Sequence, residues 1–253
     1  MTGPATDGAA DPAPGAPLDL LAVGPHRDDV ELLCGGTLIN AADRGRRVGV
    51  LDLTRGELGT RGSAELREQE AAAAARVLGL AVRENLGLPD AGIENTAETR
   101  ARLVQVLRRL RPAVVIAPSP RGRHPDHRVA SELVRDACFL AGLVKFSPGL
   151  PAHRPRKVVY AVAYREDAPK PTFVVDVSAT FERKLAAVRC YGSQFDGATQ
   201  AGEVLPNGEP LYDVVRHQAA HYGSLIRCRY GEPFVTLETM RVDDVCGLDV
   251  STF

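Results

Sequence analysis

Three of the six histidines of this 253-residue chain lie in two short acidic clusters, His26-Arg27-Asp28-Asp29 and His124-Pro125-Asp126-His127. Imidazoles and carboxylates at that density serve two kinds of chemistry: they bind a divalent metal, or they move protons as paired acid and base. Each cluster follows a short apolar run, residues 18–23 for the first and 113–117 for the second. A run of that length bounded by turn residues reads as a buried strand, which places both clusters at strand ends. Taken together they make one site. His26, Asp29 and His127 supply the three nitrogen and oxygen ligands of a catalytic zinc site that keeps a fourth position open for water. His26 and Asp29 are three residues apart, on one side of a helical turn. Asp28 then points elsewhere and is free to act as a base, and His124 with Asp126 remains as an imidazole and a carboxylate that can orient it.

The elements that must carry these residues are legible in hydrophobic period and turn chemistry. After the first cluster a helical pattern covers 34–43, with Leu38, Ile39 and Ala42 on one side and Gly45 as its stop. A strand over 47–53 completes a βαβ unit. Residues 54–62 form a loop, Ser63 caps a helix over 64–78, and a brief strand over 85–88 ends in the turn composition Pro89-Asp90-Ala91-Gly92. Asn95 with Glu98 predicts the cap of the next helix, in which Leu103, Val106, Leu107 and Leu110 recur at helical spacing. Beyond the second cluster we expect a helix over 129–143, strands over 157–164 and 172–177, and helices over 181–191 and 212–226 joined by a loop over 192–210. This alternation argues for a single α/β domain with a doubly wound, Rossmann-like, mainly parallel sheet flanked by helices. Such a sheet binds its ligand beyond the carboxyl ends of its strands, where strand order reverses. Here that point falls between the first strand and the one over 113–117, which brings the two clusters together.

Composition excludes several classes. With 31 basic against 32 acidic residues and a net charge of -1, nothing argues for nucleic acid or a membrane surface as partner. Five cysteines at irregular spacing, with no CxxC pair, predict reduced thiols rather than a disulfide framework. Residues 1–17 are Ala, Pro, Gly and Asp in the main. They read as a disordered arm ahead of a domain over 18–253, and not as a signal peptide. No apolar run approaches the ~18–20 residues of a spanning helix, so the expected location is cytoplasmic. Asp52 stands where dinucleotide folds keep a ribose-binding acid, but the first turn lacks GxGxxG, and a nucleotide cofactor is excluded.

The two clusters, together with the stretches 52–62, 85–90 and 191–195, resemble the PIG-L/LmbE family of zinc-dependent N-deacetylases over nearly the whole chain. Within that family the likeness is to the branch that deacetylates N-acetylglucosaminyl malate in bacillithiol biosynthesis. Arg27 stands where the family's first motif usually has proline, which removes a backbone constraint from that loop and leaves the ligand set intact. The resemblance implies zinc, or another divalent metal such as Fe2+, held by His26, Asp29 and His127, and Asp28 as the base. It further implies that His124 and Asp126 stabilise charge on the intermediate, that Arg67 binds substrate, that the substrate is a small amino sugar, and that the protein is a homo-oligomer. The residues themselves leave two other functions open. A metal-dependent phosphoesterase would want two ions and further carboxylates; a non-catalytic sugar-binding module would give Asp28 no reason to stand free of the metal. His153, Arg154, residues 191–195, His217 and His221 are candidates for the rim of the site.

Overall fold

Apolar residues facing both ways along the chain make β1 (Leu20–Gly24), β2 (Val48–Thr54) and β4 (Val114–Pro118) the centre of a sheet, and in β2 every residue is buried. The computed structural model describes residues 15–146, 149–163, 168–196, 211–247 and 249–250. Strands β3 (Val82–Leu88), β5 (Lys157–Ala161), β6 (Phe173–Asp176) and β7 (Gly231–Val235) complete seven strands in the order β3-β2-β1-β4-β5-β7-β6. The first five elements of that order pair in parallel, while β7 runs antiparallel to both β5 and β6. Chain order moves outward from β1 through β2 to β3, then returns to β4 on the other side of β1. The reversal expected from the sequence therefore lies between β1 and β4.

Helices α3 (Ala97–Leu110) and α4 (Pro125–Ala141) cover one face, where Leu103, Leu107, Leu133 and Ala137 pack with Leu21, Val23, Leu53 and Val115. The other face holds α1 (Asp29–Asp43), α2 (Ala64–Leu78) and α5 (Phe181–Arg189), with Leu38, Ile39, Leu78 and Ala187 against Ala22, Val50 and Ile116. Fully burying an aliphatic side chain of this size is worth about 1.5–3 kcal/mol, and these two layers supply the cohesion of the fold. A short helix α6 (Gly192–Phe195) follows α5, and α7 (Leu211–Leu225) packs Val215 and Ala219 with Val177 and Phe181 beside β6 and β7. No helix among the described residues is long and apolar enough to cross a membrane.

Several expectations shift. Both clusters lie on helix N-termini rather than ahead of them, because α1 begins at Asp29 and α4 at Pro125. The reason for the first is a kink: Cys34 has non-helical dihedrals (φ -144°), so the regular pattern from residue 34 onward is the second segment of α1 and a separate first turn precedes it. The kink frees backbone N–H groups, and a carboxylate from β7 takes them. Glu232 accepts from Gly36 N at 2.9 Å, Thr37 N at 2.7 Å and the Thr37 hydroxyl at 2.6 Å, and is itself paired with the fully buried Lys184 at 2.7 Å. A Cβ at position 36 would stand 2.8 Å from Val177, so glycine is what lets the kinked helix approach this wall.

Strand β7 is absent from the sequence-based expectation; Pro233 donates nothing there, but its carbonyl accepts from Val162 N at 3.1 Å. The cap of α3 is Thr96 with Thr99, each side chain bonded to the other's backbone, while Asn95 reaches Asp136 instead. The expected strand over 157–164 ends at Ala161; its last residue, most of the expected N-terminal arm and positions 197–210 of the expected loop lie outside the described residues. Ser63 caps α2 as read from sequence, accepting from Leu66 N at 3.2 Å. Ser63→Ala is expected to cost about 1 kcal/mol, measured as a lower denaturant midpoint with an unchanged slope.

Candidate active site

The loop after β1 and the loop after β4 meet above the sheet, because their strands are paired neighbours from Leu20↔Val114 to Ala22↔Ile116. Asp29 heads α1, and its two oxygens face two histidines. Oδ2 lies 3.2 Å from His26 Nδ1 and also accepts the His26 backbone N–H at 2.8 Å; Oδ1 lies 3.1 Å from His127 Nε2. The three expected ligands thus converge, and their donor atoms all lie within 4.8 Å of one another. A second grouping, His26 with His124 and Asp126, shares His26 with the first.

Charge supports the same reading. Burial works to lower the His26 imidazole, but the carboxylates of Asp29, Asp90 and Asp28 overcome it and raise its pKa to about 11. Burial likewise opposes ionisation of Asp29, yet His127 and His26 hold it well below the usual carboxylate range. A pocket that stabilises positive charge so strongly, with two imidazole nitrogens and a carboxylate at contact distance, fits a divalent cation by donor type and number.

Asp28 stands apart from that set. Its Oδ2 takes a hydrogen bond from Arg67 Nη2 at 3.2 Å, and burial raises its pKa against the pull of the same guanidinium. Arg67 lines the cleft as a substrate arginine must, but its fork is already engaged: Nη1 donates to Gly56 O at 3.0 Å. Gly56 has φ +69°, and a Cβ there would run into the Arg67 guanidinium. Gly56→Ala is therefore expected to displace Arg67 and Asp28 and to lower turnover by roughly 10²-fold at unchanged metal content, measured as kcat alongside metal analysis.

The second cluster is arranged differently from the expectation that Asp126 supports His124 with its carboxylate. His124 is the N-cap of α4, and its Nδ1 accepts the backbone N–H of Asp126 at 3.2 Å. The Asp126 carboxylate turns the other way, accepting from Ala91 N at 2.9 Å and facing His26 Nε2 at 3.3 Å. Burial and the neighbouring imidazoles lower the pKa of His124. A ring whose Nδ1 accepts an N–H is a neutral ring carrying its proton on Nε2.

Arg27 points inward, 4% exposed, and its guanidinium donates to Ala64 O at 2.8 Å at the start of α2, so the residue that replaces proline anchors the loop and does not reach for substrate. Beneath it, Tyr191 and Arg83 both donate to the Arg27 carbonyl. Arg83 also binds Asp52, which explains that acid without a ribose, and Glu31, whose pKa burial pushes up to about 7 against the pull of Arg83.

A family model described as GlcNAc-PI de-N-acetylase (PIG-L) matches residues 21–138, which contain every one of these catalytic candidates. The chain is 33% identical to the diacetylchitobiose deacetylase of Thermococcus kodakarensis over 84% of its own length and 80% of the relative's. The chain belongs to the PIG-L deacetylase family. A crystal structure of a conserved protein from Thermus thermophilus superposes with a TM-score of 0.79 at 43% identity, covering 89% of this chain and 98% of that one. Family membership does not by itself fix the reaction, since the 4-oxalmesaconate hydratase of Pseudomonas putida is 28% identical over 69% of this chain and 73% of its own.

In this PIG-L deacetylase chain the cleft above the clusters has a volume of about 600 Å³. α7 contributes apolar lining through Leu211, Val214 and Val215, and Gln218 adds an amide; Leu58 also lines the cleft. Sequence reasoning missed that lining, and it missed Asp90, which lies 3.2 Å from His26 Nε2 and accepts from Leu58 N at 2.9 Å; the hydrogen bond from His26 draws its pKa down to about 2. Its sequence signals are a turn composition and its place at the end of the family-like stretch 85–90. The rim candidates fall away in part: His153 bonds Pro112 O at the opposite end of the sheet, Arg154 stacks over Phe139, and neither His217 nor His221 lines the cleft. Residues 191–195 act as a clasp, with Ser193 on Glu70 and Gln194 on Arg61 O at 2.7 Å, holding the loop that covers Arg67.

Proposed function

We propose that the chain is a metal-dependent N-deacetylase that hydrolyses the acetamide of a small amino sugar such as N-acetylglucosaminyl malate, the substrate of the family branch its motifs resemble, to acetate and a free amine. The observation that carries this reading is the split between adjacent carboxylates: Asp29 faces two imidazoles, while Asp28 faces an arginine and the cleft. A purely structural acidic pair has no use for that division, and a sugar-binding module has none for Asp28.

His26, Asp29 and His127 would hold the ion. When bound, zinc or Fe2+ supplies a water of lowered pKa and polarises the amide carbonyl. Asp28, its pKa raised by burial and its carboxylate steadied by Arg67, is placed to accept a proton from the water that adds to the acetamide carbonyl. His124 presents Nε2–H to the oxygen of the tetrahedral intermediate as a neutral donor, its tautomer fixed by the Asp126 N–H. The amine leaves with a proton returned by Asp28 or His124, both of which line the cleft and stand outside the set His26, Asp29 and His127. A phosphoesterase reading has less support, because the two candidate ligand sets share His26 and amount to one ion's worth of donors among the described residues.

The reading is tested by amine release from N-acetylglucosaminyl malate, free N-acetylglucosamine and diacetylchitobiose, with 4-oxalmesaconate as a hydration control. Release from at least one glycoside, abolished by chelation and restored by zinc or iron, is expected. Turnover of 4-oxalmesaconate alone would replace the reading with hydration. His127→Ala is expected to remain folded by circular dichroism and to lose its metal, measured by elemental analysis after gel filtration.

A further inference from the structure

Two side chains that do not line the cleft end on one atom of the loop that carries the site. Tyr191, between α5 and α6, and Arg83, on β3, both donate to the carbonyl oxygen of Arg27. Tyr191 is fully buried and the Arg83 side chain is 8% exposed, so little water competes for that oxygen. Both donors are themselves held in place. Glu31 Oε1 accepts from the Tyr191 hydroxyl at 3.1 Å and from Arg83 Nη1, and Asp52 accepts from Arg83 Nε and Nη2 at 2.9 Å each. From the opposite side the Arg27 guanidinium pins the same residue to Ala64 O at 2.8 Å.

The backbone of Asp28 shows what a fixed carbonyl accomplishes. The Arg27 carbonyl and the Asp28 N–H belong to one planar peptide, so donors that fix the first fix the plane from which Asp28 departs. Asp28 is the N-cap of α1. At that position an aspartate ordinarily takes β-region dihedrals, and its side chain accepts a backbone N–H of the first turn. Asp28 instead has φ -110° and ψ -11°, and its carboxylate makes no capping bond. It is turned to Arg67 Nη2 at 3.2 Å and to the cleft.

We propose that Tyr191 and Arg83 are positioning residues for the reaction: by clamping the Arg27 carbonyl they hold Asp28 off its own helix and aim it at Arg67 and the cleft. The clamp acts on Asp28 and leaves the three metal-site residues to other anchors. Asp29 is held between His26 and His127, and the loop ahead of them is tied down separately, with Pro25 O accepting from Thr54 N and Thr54 Oγ1 at 3.0 Å each. The effect on turnover rests on the reading of Asp28 as the base; the effect on the direction of its carboxylate does not.

Tyr191→Phe tests it, because it removes one hydroxyl and keeps the ring in the core. It is expected to lower kcat by about 10- to 10²-fold with KM and bound metal unchanged. A merely structural role would lower the melting midpoint and leave kcat, assayed below that midpoint, at the parent level. In an Asp28→Asn background the same change is expected to cost less than about threefold, since a residue that acts through Asp28 then has no base left to position. A crystal structure of Tyr191→Phe is expected to show the Asp28 carboxylate turned back onto a backbone N–H of α1 and its contact with Arg67 lost. Arg83→Lys, which keeps the charge without the fork, is expected to repeat the kcat pattern and replaces Tyr191→Phe if that variant does not fold. Parent-level kcat, an equal loss in both backgrounds, or an Asp28–Arg67 contact that survives in the crystal would each overturn the proposal. A parent chain that deacetylates nothing counts against the proposed function, and the crystal structure still decides the clamp.

Discussion

Asp28→Asn is expected to lower turnover by about 10²–10⁴-fold while metal content stays at the level of the parent chain. Asparagine keeps the shape of aspartate and retains an oxygen for the hydrogen bond from Arg67, which the structure places 3.2 Å away. The ligand set is untouched, because Asp29, not Asp28, faces His26 and His127. What the substitution removes is a group that can take a proton. Burial makes Asp28 a stronger base than a solvated carboxylate, while Arg67 keeps that rise in check. Parallel measurement of kcat and bound metal separates the roles of the two neighbours: Asp28→Asn should lose rate and keep metal, whereas His127→Ala should lose both. An Asp28→Asn enzyme with undiminished turnover would remove the base from the mechanism.

The second large effect is expected far from the cleft. Glu232→Ala should destabilise the fold by about 3–5 kcal/mol, the cost of leaving one partner of a buried ion pair alone. Lys184 and Glu232 are both inaccessible to solvent, so the substitution leaves a buried ammonium without its counter-charge. The same substitution strips the acceptor from Gly36 N, Thr37 N and the Thr37 hydroxyl at the kink of α1. For a domain of this size each kcal/mol moves the midpoint by about 2–4 °C, so thermal unfolding should begin roughly 6–20 °C earlier. The double change Lys184→Met with Glu232→Gln, which removes the charge and keeps an acceptor, should recover most of that loss. If Glu232→Ala melts with the parent chain, the kink is held by packing instead.

Much of this architecture was legible because its signals are local. Short apolar runs marked β1 and β4, Ser63 announced the start of α2, and the alternation of elements implied the reversal point that joins the two clusters. The pairing of His26, Asp29 and His127 followed from that topology. What escaped depends on contacts between distant residues. Strand β7 is five residues with a proline, and only its neighbours β5 and β6 make it a strand. The first turn of α1 was hidden by the kink at Cys34, whose freed N–H groups are capped from about 200 positions away. Asp90 looked like a turn residue because its role is visible only once β3 delivers it to His26. Likewise the Asp126 carboxylate faces His26 and the 91–93 backbone, a choice of direction that spacing within His-Pro-Asp-His does not contain.

The central claim is amide hydrolysis at this cleft, and isotope labelling tests it most directly. Metal-reconstituted protein incubated with N-acetylated glucosaminides in 18O-labelled water should release acetate and free amine in equal amounts, each acetate carrying one oxygen from the water. Label entering a product without release of acetate, or no acetate from any N-acetylated sugar, would contradict the account.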